Sequence, residues 1–324
     1  MSGAEATAPT GAMLDHLLRR VGASALTLVL VAFLVFLAIH IVPGDPARVL
    51  VGTDAAPEEY EAARERLGLD IPWPTRFARW LGGLVSGNWG DSFRYSRPAR
   101  DLVARGLTIT VPLASLSLLI SLLVAFPLGM AAASRPGRWV DLGTVGLAQV
   151  GTALPEFWLA ILLVGLFAVR LGVLPAGGFP GWESPRAWLH LLLPAAALAL
   201  PRAAYLARMV RASLADVLRE DYVRTARAKG VAAWRVVGVH ALRNALVSVV
   251  TGAGLTFARL LAGAMVVENV FGLPGLGRLA VVAVEARDLP LVASLATVVA
   301  AVIVLVSLAV DLTYLLLDPR IRHR

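Results

Sequence analysis

Asp221–Leu246, DYVRTARAKGVAAWRVVGVHALRNAL, is the one strongly basic, soluble-looking stretch lodged between long apolar runs, and the rest of the chain is laid out around it. Between Arg208 and Arg243 eight Arg or Lys stand against three Asp or Glu, a local net charge of +5. Charge alone describes any loop lying on anionic lipid, where each basic residue near the surface contributes about 1 kcal/mol. The internal order says more. Ser213 followed by Asp216 reads as a capping box, and Leu214, Val217, Leu218 and Tyr222 share one helical face. Gly230 then offers the φ > 0 turn that ends a helix at little strain. A second helical run, VAAWRVVGVHALRNAL, leads back into apolar sequence. The spacing predicts two short helices meeting at a glycine, a compact knob able to carry force from a soluble partner to the flanking spans.

Outward from that stretch, composition sets the class. The 324 residues are 58% hydrophobic and 16% charged, with mean hydropathy +0.73. Soluble domains average roughly 45–50% apolar, so this is an all-α integral membrane protein. The chain has no cysteine, which excludes disulfide and thiol chemistry, and its five histidines (His16, His40, His190, His240, His323) form no metal-ligand spacing. Its formal charge of +8 is almost wholly arginine, and its lone lysine, Lys229, stands between Ala228 and Gly230. A phosphate-cradling loop needs Gly-Lys-Ser/Thr, so ATP hydrolysis through that motif is excluded and any ATP-driven work falls to another subunit.

Six apolar spans are predicted, each long enough to cross roughly 30 Å of hydrocarbon. They cover about 21–42, 107–133, 140–169, 189–206, 245–267 and 291–317. The first is preceded by Arg19 and Arg20 and ends in His40-Ile41-Val42-Pro43, which fits a retained span better than a cleaved signal. Residues 1–13 read as a disordered tail, with Met13 an alternative start, and 14–106 as the first span plus an extracytoplasmic loop. Residues 107–324 read as the remaining membrane core, with a cytoplasmic loop at about 208–245. From Pro43 to Gly106 nine Arg are balanced by nine Asp or Glu, so nothing holds this region on an anionic cytoplasmic leaflet. Inside it Pro57–Leu67 predicts a short helix, with Pro near its start, acids in the first turn and Gly68 beyond its end. Trp73, Trp80 and Trp89 follow, suited to the headgroup level or to the mouth of a pore. In the fifth span Gly254, Ala258 and Ala262 recur every fourth residue and predict a smooth packing face. Basic residues cluster at Arg19 and Arg20, Arg135 and Arg138, 208–243, and Arg320, Arg322 and Arg324, which puts both termini and the opening stretch in the cytoplasm.

The stretch resembles the coupling loop of ATP-binding-cassette importer permeases, whose pattern is Glu-Ala-Ala, three residues, Gly, nine residues, then Ile-x-Leu-Pro. Ala226, Gly230 and Leu242 match its second alanine, glycine and leucine, whereas Arg224, Thr225, His240 and Arg243 replace Glu, Ala, Ile and Pro. The wording DYVRTARAKG and HALRNAL is that of the dipeptide and oligopeptide subgroup, which usually lacks the glutamate. LAIHIVPGDP, RERLGLD, LPEFWLAILLVGLFAVRLGVLP, AAYLARMVRASLADVL, VVENVFGLPGLGRL and DPRIR extend the resemblance from about Leu17 to Arg322. The long loop after the first span is similar to that of the B-type permease of the pair.

The resemblance implies a type I importer permease fold and a multi-pass subunit in the cell membrane. It also implies a second permease subunit, two cytosolic ATPase subunits that bind ATP and magnesium, and an extracytoplasmic solute-binding protein. Membrane lipid surrounds the chain, which itself needs no cofactor and no nucleic acid. Asp221, Tyr222, Arg224, Ala226, Arg227 and Gly230 are then the coupling residues: the arginines for ATPase acids, Ala226 for a thin docking face, Gly230 for the turn. Di- or oligopeptide is the implied solute, with glutathione or a nickel chelate as alternatives within the family. Glu156 in the third span and Arg259 in the fifth are candidates for the substrate path, because intramembrane charge is expensive. The bland readings are a cap for the helix broken at Pro155, and a pair between Arg259 and Asp311. An ion-coupled carrier would show repeats and broken helices with ion ligands, and a multi-pass enzyme a polar cluster across spans; the sequence shows neither an obvious repeat nor such a cluster.

Overall fold

A computed structural model describes residues 10–41, 46–52 and 55–317. Residues 1–9 of the expected tail, residues 42–45 and 53–54 and the closing DPRIRHR fall outside the described residues; from Thr10 the chain is helical. The elements are α1 (Thr10–Ile41), α2 (Pro46–Val51), α3 (Pro57–Leu67), α4 (Trp73–Ser86), α5 (Ala99–Ser134), α6 (Trp139–Ala153) and α7 (Glu156–Leu163). They continue with α8 (Ala187–Val217), α9 (Asp221–Ala228), α10 (Ala233–Arg235), α11 (Leu242–Phe271), α12 (Leu276–Glu285) and α13 (Leu289–Leu317). Wider, π-helical turns extend α7 over Val164–Arg170 and join α10 to α11 over Val236–Ala241. Among the described residues the only β-pairing is a single bridge between Asp91 and Pro98.

Among the described residues five helices are long and apolar enough to cross a membrane: Leu18–Ile39, Ala99–Ser134, Ala187–Val217, Asn244–Phe271 and Leu289–Thr313. The third span, expected over 140–169 with its helix broken at Pro155, consists of two helices, α6 and α7, bent by 98°. The cause is local. Pro155 lacks an N–H and drives the preceding Leu154 into extended backbone (φ −78°, ψ 128°), which stops α6. Counted as one broken span, the pair completes six.

One expectation is corrected at the end of α8. Ser213 and Asp216 do not open a new helix; α8 continues through them to Val217. Leu206, Val210 and Leu214 recur every fourth residue, and all three are fully buried. Val210 and Leu214 sit in one apolar cluster with Ala133, Ala241, Ala245 and Val249. That burial outweighs a capping preference worth about 1 kcal/mol. The segment after the fifth span, expected as loop, likewise contains α12, whose Leu276 and Ala283 are buried.

The described residues gather into two compact units, one built on 110–273 and 306–317 and the other on 16–109 and 274–305. In the larger unit α5 meets α8 at Gly129, where an added Cβ would stand 2.7 Å from Val210 and 2.8 Å from the Ala207 carbonyl. Gly254 faces Val310 of α13, as its small-residue spacing anticipated, although Ala262 is exposed. In the smaller unit Ala99, Val103, Leu276, Ala283, Leu291 and Leu295 form the core. The predicted Pro57–Leu67 helix is present, closed by Gly68 at φ 63°. Asp288 starts α13 there: its carboxylate accepts from the Ser92 hydroxyl, from the Arg94 N–H (3.1 Å) and from the Leu291 N–H (3.3 Å). Exposed leucines such as Leu26, Leu30, Leu34, Leu119 and Leu123 cover the outer faces of α1 and α5, as lipid contact requires.

Candidate functional site

Three residues separate the end of α8 from α9. Glu220 is extended (φ −65°, ψ 147°), Asp221 stands in the first turn of α9 and Arg227 in its last, so both charges complement the helix dipole. Val223 is fully buried and anchors α9 within the larger unit. A second tether is polar: the Asn244 side-chain amide donates to the Tyr222 hydroxyl at 2.7 Å, joining α9 to the start of α11. The remaining side chains are free of the core. Asp221 and Arg224 lie 3.7 Å apart with 97% and 76% of their side chains exposed, Arg227 is exposed, and Ala226 is half-buried.

Gly230 ends the helix as expected. At φ +76°, its N–H donates to the Arg227 carbonyl (2.9 Å) while the Val231 N–H reaches back to Ala226 (3.2 Å). These are the two bonds of a Schellman closure, which needs a left-handed residue. Nothing lies within 4 Å of where its Cβ would be, so the requirement is torsional and not spatial. Beyond the turn Trp234 is 67% exposed, with the Arg235 guanidinium 5.1 Å above its ring. The six expected coupling residues are thus adjacent on one short helix and its turn, and Trp234 and Arg235 extend the same exposed surface in sequence.

The two intramembrane candidates lie elsewhere in the larger unit. Glu156, the first residue of α7, accepts from the Arg202 guanidinium of α8 at 2.5 Å, with side chains only 18% and 23% exposed. A Cβ at Gly263 of α11 would collide with the Glu156 carboxylate, so the pair sits in a seam of three helices. Arg202 Nε is buried without a partner. Arg259 lies over the Tyr205 ring, 5.7 Å from its centroid.

Two polar contacts were not singled out from sequence. Arg211 of α8 grips Asp141 of α6 through both carboxylate oxygens, at 2.7 and 2.8 Å, and the Gly137 N–H adds a third bond at 2.9 Å. Thr110 donates to the fully buried Glu268 at 2.6 Å. The available signal was charge inside apolar sequence, which marks a residue as partnered without naming the partner.

An exposed helix–glycine knob thus lies between two of the membrane-length helices, α8 and α11. The sequence matches the family described as the binding-protein-dependent transport system inner membrane component over residues 125–323, and the N-terminal part of such components over 13–114. The chain belongs to this family. A Brucella abortus (strain 2308) protein, named as a peptide transport system permease, is 43% identical over 309 residues, 95% of this chain and 98% of that protein. The glutathione transport system permease protein GsiC of Salmonella paratyphi A is 40% identical over 312 residues, 96% of this chain and all of that protein. An inward-facing structure of the MetNI methionine transporter superposes with a TM-score of 0.53 at 19% identity, over 67% of this chain and 96% of that one, which shows the shared fold. The permease is a transport subunit and not the catalytic one: in this family ATP hydrolysis resides in partner subunits.

Proposed function

We propose that this permease imports short peptides. The observation that carries the reading is the 43% identity, over 95% of the chain, to a protein named for peptide transport. Glutathione, itself a tripeptide, is the second reading, on 40% identity over 96% of the chain. The chain works beside a second permease subunit, with ATP and magnesium held by two cytosolic ATPase subunits and solute delivered by an extracytoplasmic binding protein. Lipid surrounds the spans, and both termini and α9 face the cytoplasm, in line with the arginine distribution.

Asp221, Tyr222, Arg224, Ala226, Arg227 and Gly230 form the coupling surface in this reading. The exposed arginines meet carboxylates of an ATPase groove, while Val223 and the Tyr222–Asn244 bond pass its motion to α11. Glu156 and Arg259 border the solute path. In this reading the first span with its extracytoplasmic loop (14–106) and the core (107–324) are the two functional parts. Reconstituted vesicles containing the assembled complex test this directly. ATPase activity should rise with peptide-loaded binding protein and fail to rise in Gly230→Val, with insertion intact. Stimulation by glutathione alone would select the second reading, and full stimulation of the variant would remove Gly230 from coupling.

A further inference from the structure

The smaller unit contains a cavity of about 620 Å3 that the coupling surface does not use. Its walls come from the end of α1, the turn between α3 and α4, α4 itself and the start of α13. The aromatic walls are fixed by packing. Trp80 lies 5.8 Å from Phe36 and 6.3 Å from Phe77, centroid to centroid, and the Trp89 indole N–H donates to the Leu84 carbonyl at 3.0 Å. Pockets of roughly 300–1,000 Å3 with apolar walls and a few placed polar groups suit small ligands.

The polar groups here carry both signs. Arg76 and Arg79 sit three residues apart on α4, and Glu65 from the last turn of α3 lines the same space. Arg79 and Glu65 are exposed, and neither is ion-paired among the described residues. The neighbouring Arg64 is by contrast committed to Asp70 at 2.6 Å, which raises its pKa. Arg76 is half-buried, which lowers its pKa without discharging it, and the five N–H donors of a guanidinium can serve more than one acceptor. Guanidinium groups bind carboxylates through paired, charge-assisted hydrogen bonds.

We infer that this cavity is a solute site within the permease itself, taking a short peptide with free ends. The C-terminal carboxylate sits on Arg76 and Arg79, the α-amino group on Glu65, and an apolar side chain against Trp80 and Trp89. This rests on the peptide reading above. An anionic lipid headgroup would answer the arginines but oppose Glu65, whereas a peptide zwitterion answers all three.

The test uses the assembled complex in detergent, without binding protein, titrated calorimetrically with Ala-Phe, its C-terminal amide and its N-acetyl form. The amide should bind wild type at least tenfold more weakly than the free dipeptide, a difference that disappears in Arg76→Gln/Arg79→Gln. The acetylated form should also bind more weakly, a difference that disappears in Glu65→Gln. Because blocked and free peptides are compared on wild type, the result does not depend on the variants folding. Equal binding of all three peptides, no binding, or binding of phosphatidylethanolamine in their place would overturn the inference. Stimulation of ATPase by peptide-loaded binding protein in the same preparation separates the two layers. If stimulation occurs while the cavity binds nothing, only the cavity site fails. If peptide never stimulates and another solute does, the peptide reading fails with it.

Discussion

Helices α8 and α9 are consecutive and use the same cation, yet they place it in opposite surroundings. On α8, Arg202 and Arg211 are drawn inward and paired with Glu156 and Asp141 at 2.5 and 2.7 Å. On α9, Arg224 stands 3.7 Å from Asp221 with both side chains largely in solvent. A half-buried pair is part of the fold, since removing one partner strands the other's charge. An exposed pair contributes little to stability and remains available to a partner. The glycines repeat the contrast: Gly129, against α8, is required by space, and Gly230, after α9, by torsion.

The largest effect should come from breaking a pair on α8. Arg202→Ala leaves the half-buried Glu156 carboxyl without its partner and should destabilise by about 3 kcal/mol, read as a lower Tm of the complex in detergent. Glu156→Gln/Arg202→Gln should recover most of that loss. An unchanged Tm for the single variant would show that the pair does not hold α7 to α8. Next is Gly129→Ala, whose methyl meets Val210 and the Ala207 carbonyl; overpacking of this kind costs about 1–3 kcal/mol. A thermal melt indistinguishable from wild type would mean that the two helices part without strain.

Gly230→Val comes third by stability, at about 1–2 kcal/mol for a left-handed non-glycine residue, confined to one turn. Its functional effect should be much larger than its Tm shift, with binding-protein stimulation of ATPase lost. Smallest of all is Arg224→Ala. Its Tm should match wild type at low and high salt, while stimulation falls. If stability falls and stimulation does not, the contrast between α8 and α9 is wrong at this residue.

Much of the site was readable before any fold. The helix 57–67, its closure at Gly68, the turn at Gly230 and the first and last spans follow from composition and local torsion, which neighbours in sequence control. Reading failed where local and tertiary preferences disagree. Ser213 and Asp216 carry a capping signal, but the buried side of α8 continues through Leu214 and prevails. Pro155 was visible as a breaker, yet a proline within an apolar run is compatible with a kink or a full break, and Pro112 and Pro127 remain inside α5.

The sequence by itself determined a membrane protein with six apolar segments, a basic knob between two of them and no phosphate-binding loop, because length, hydropathy and charge sums are properties of the chain alone. Tertiary structure decided which polar groups meet. Arg211 and Asp141 are 70 residues apart and Thr110 and Glu268 are 158 apart. An intramembrane charge requires a partner, and only the packing of helices specifies which one.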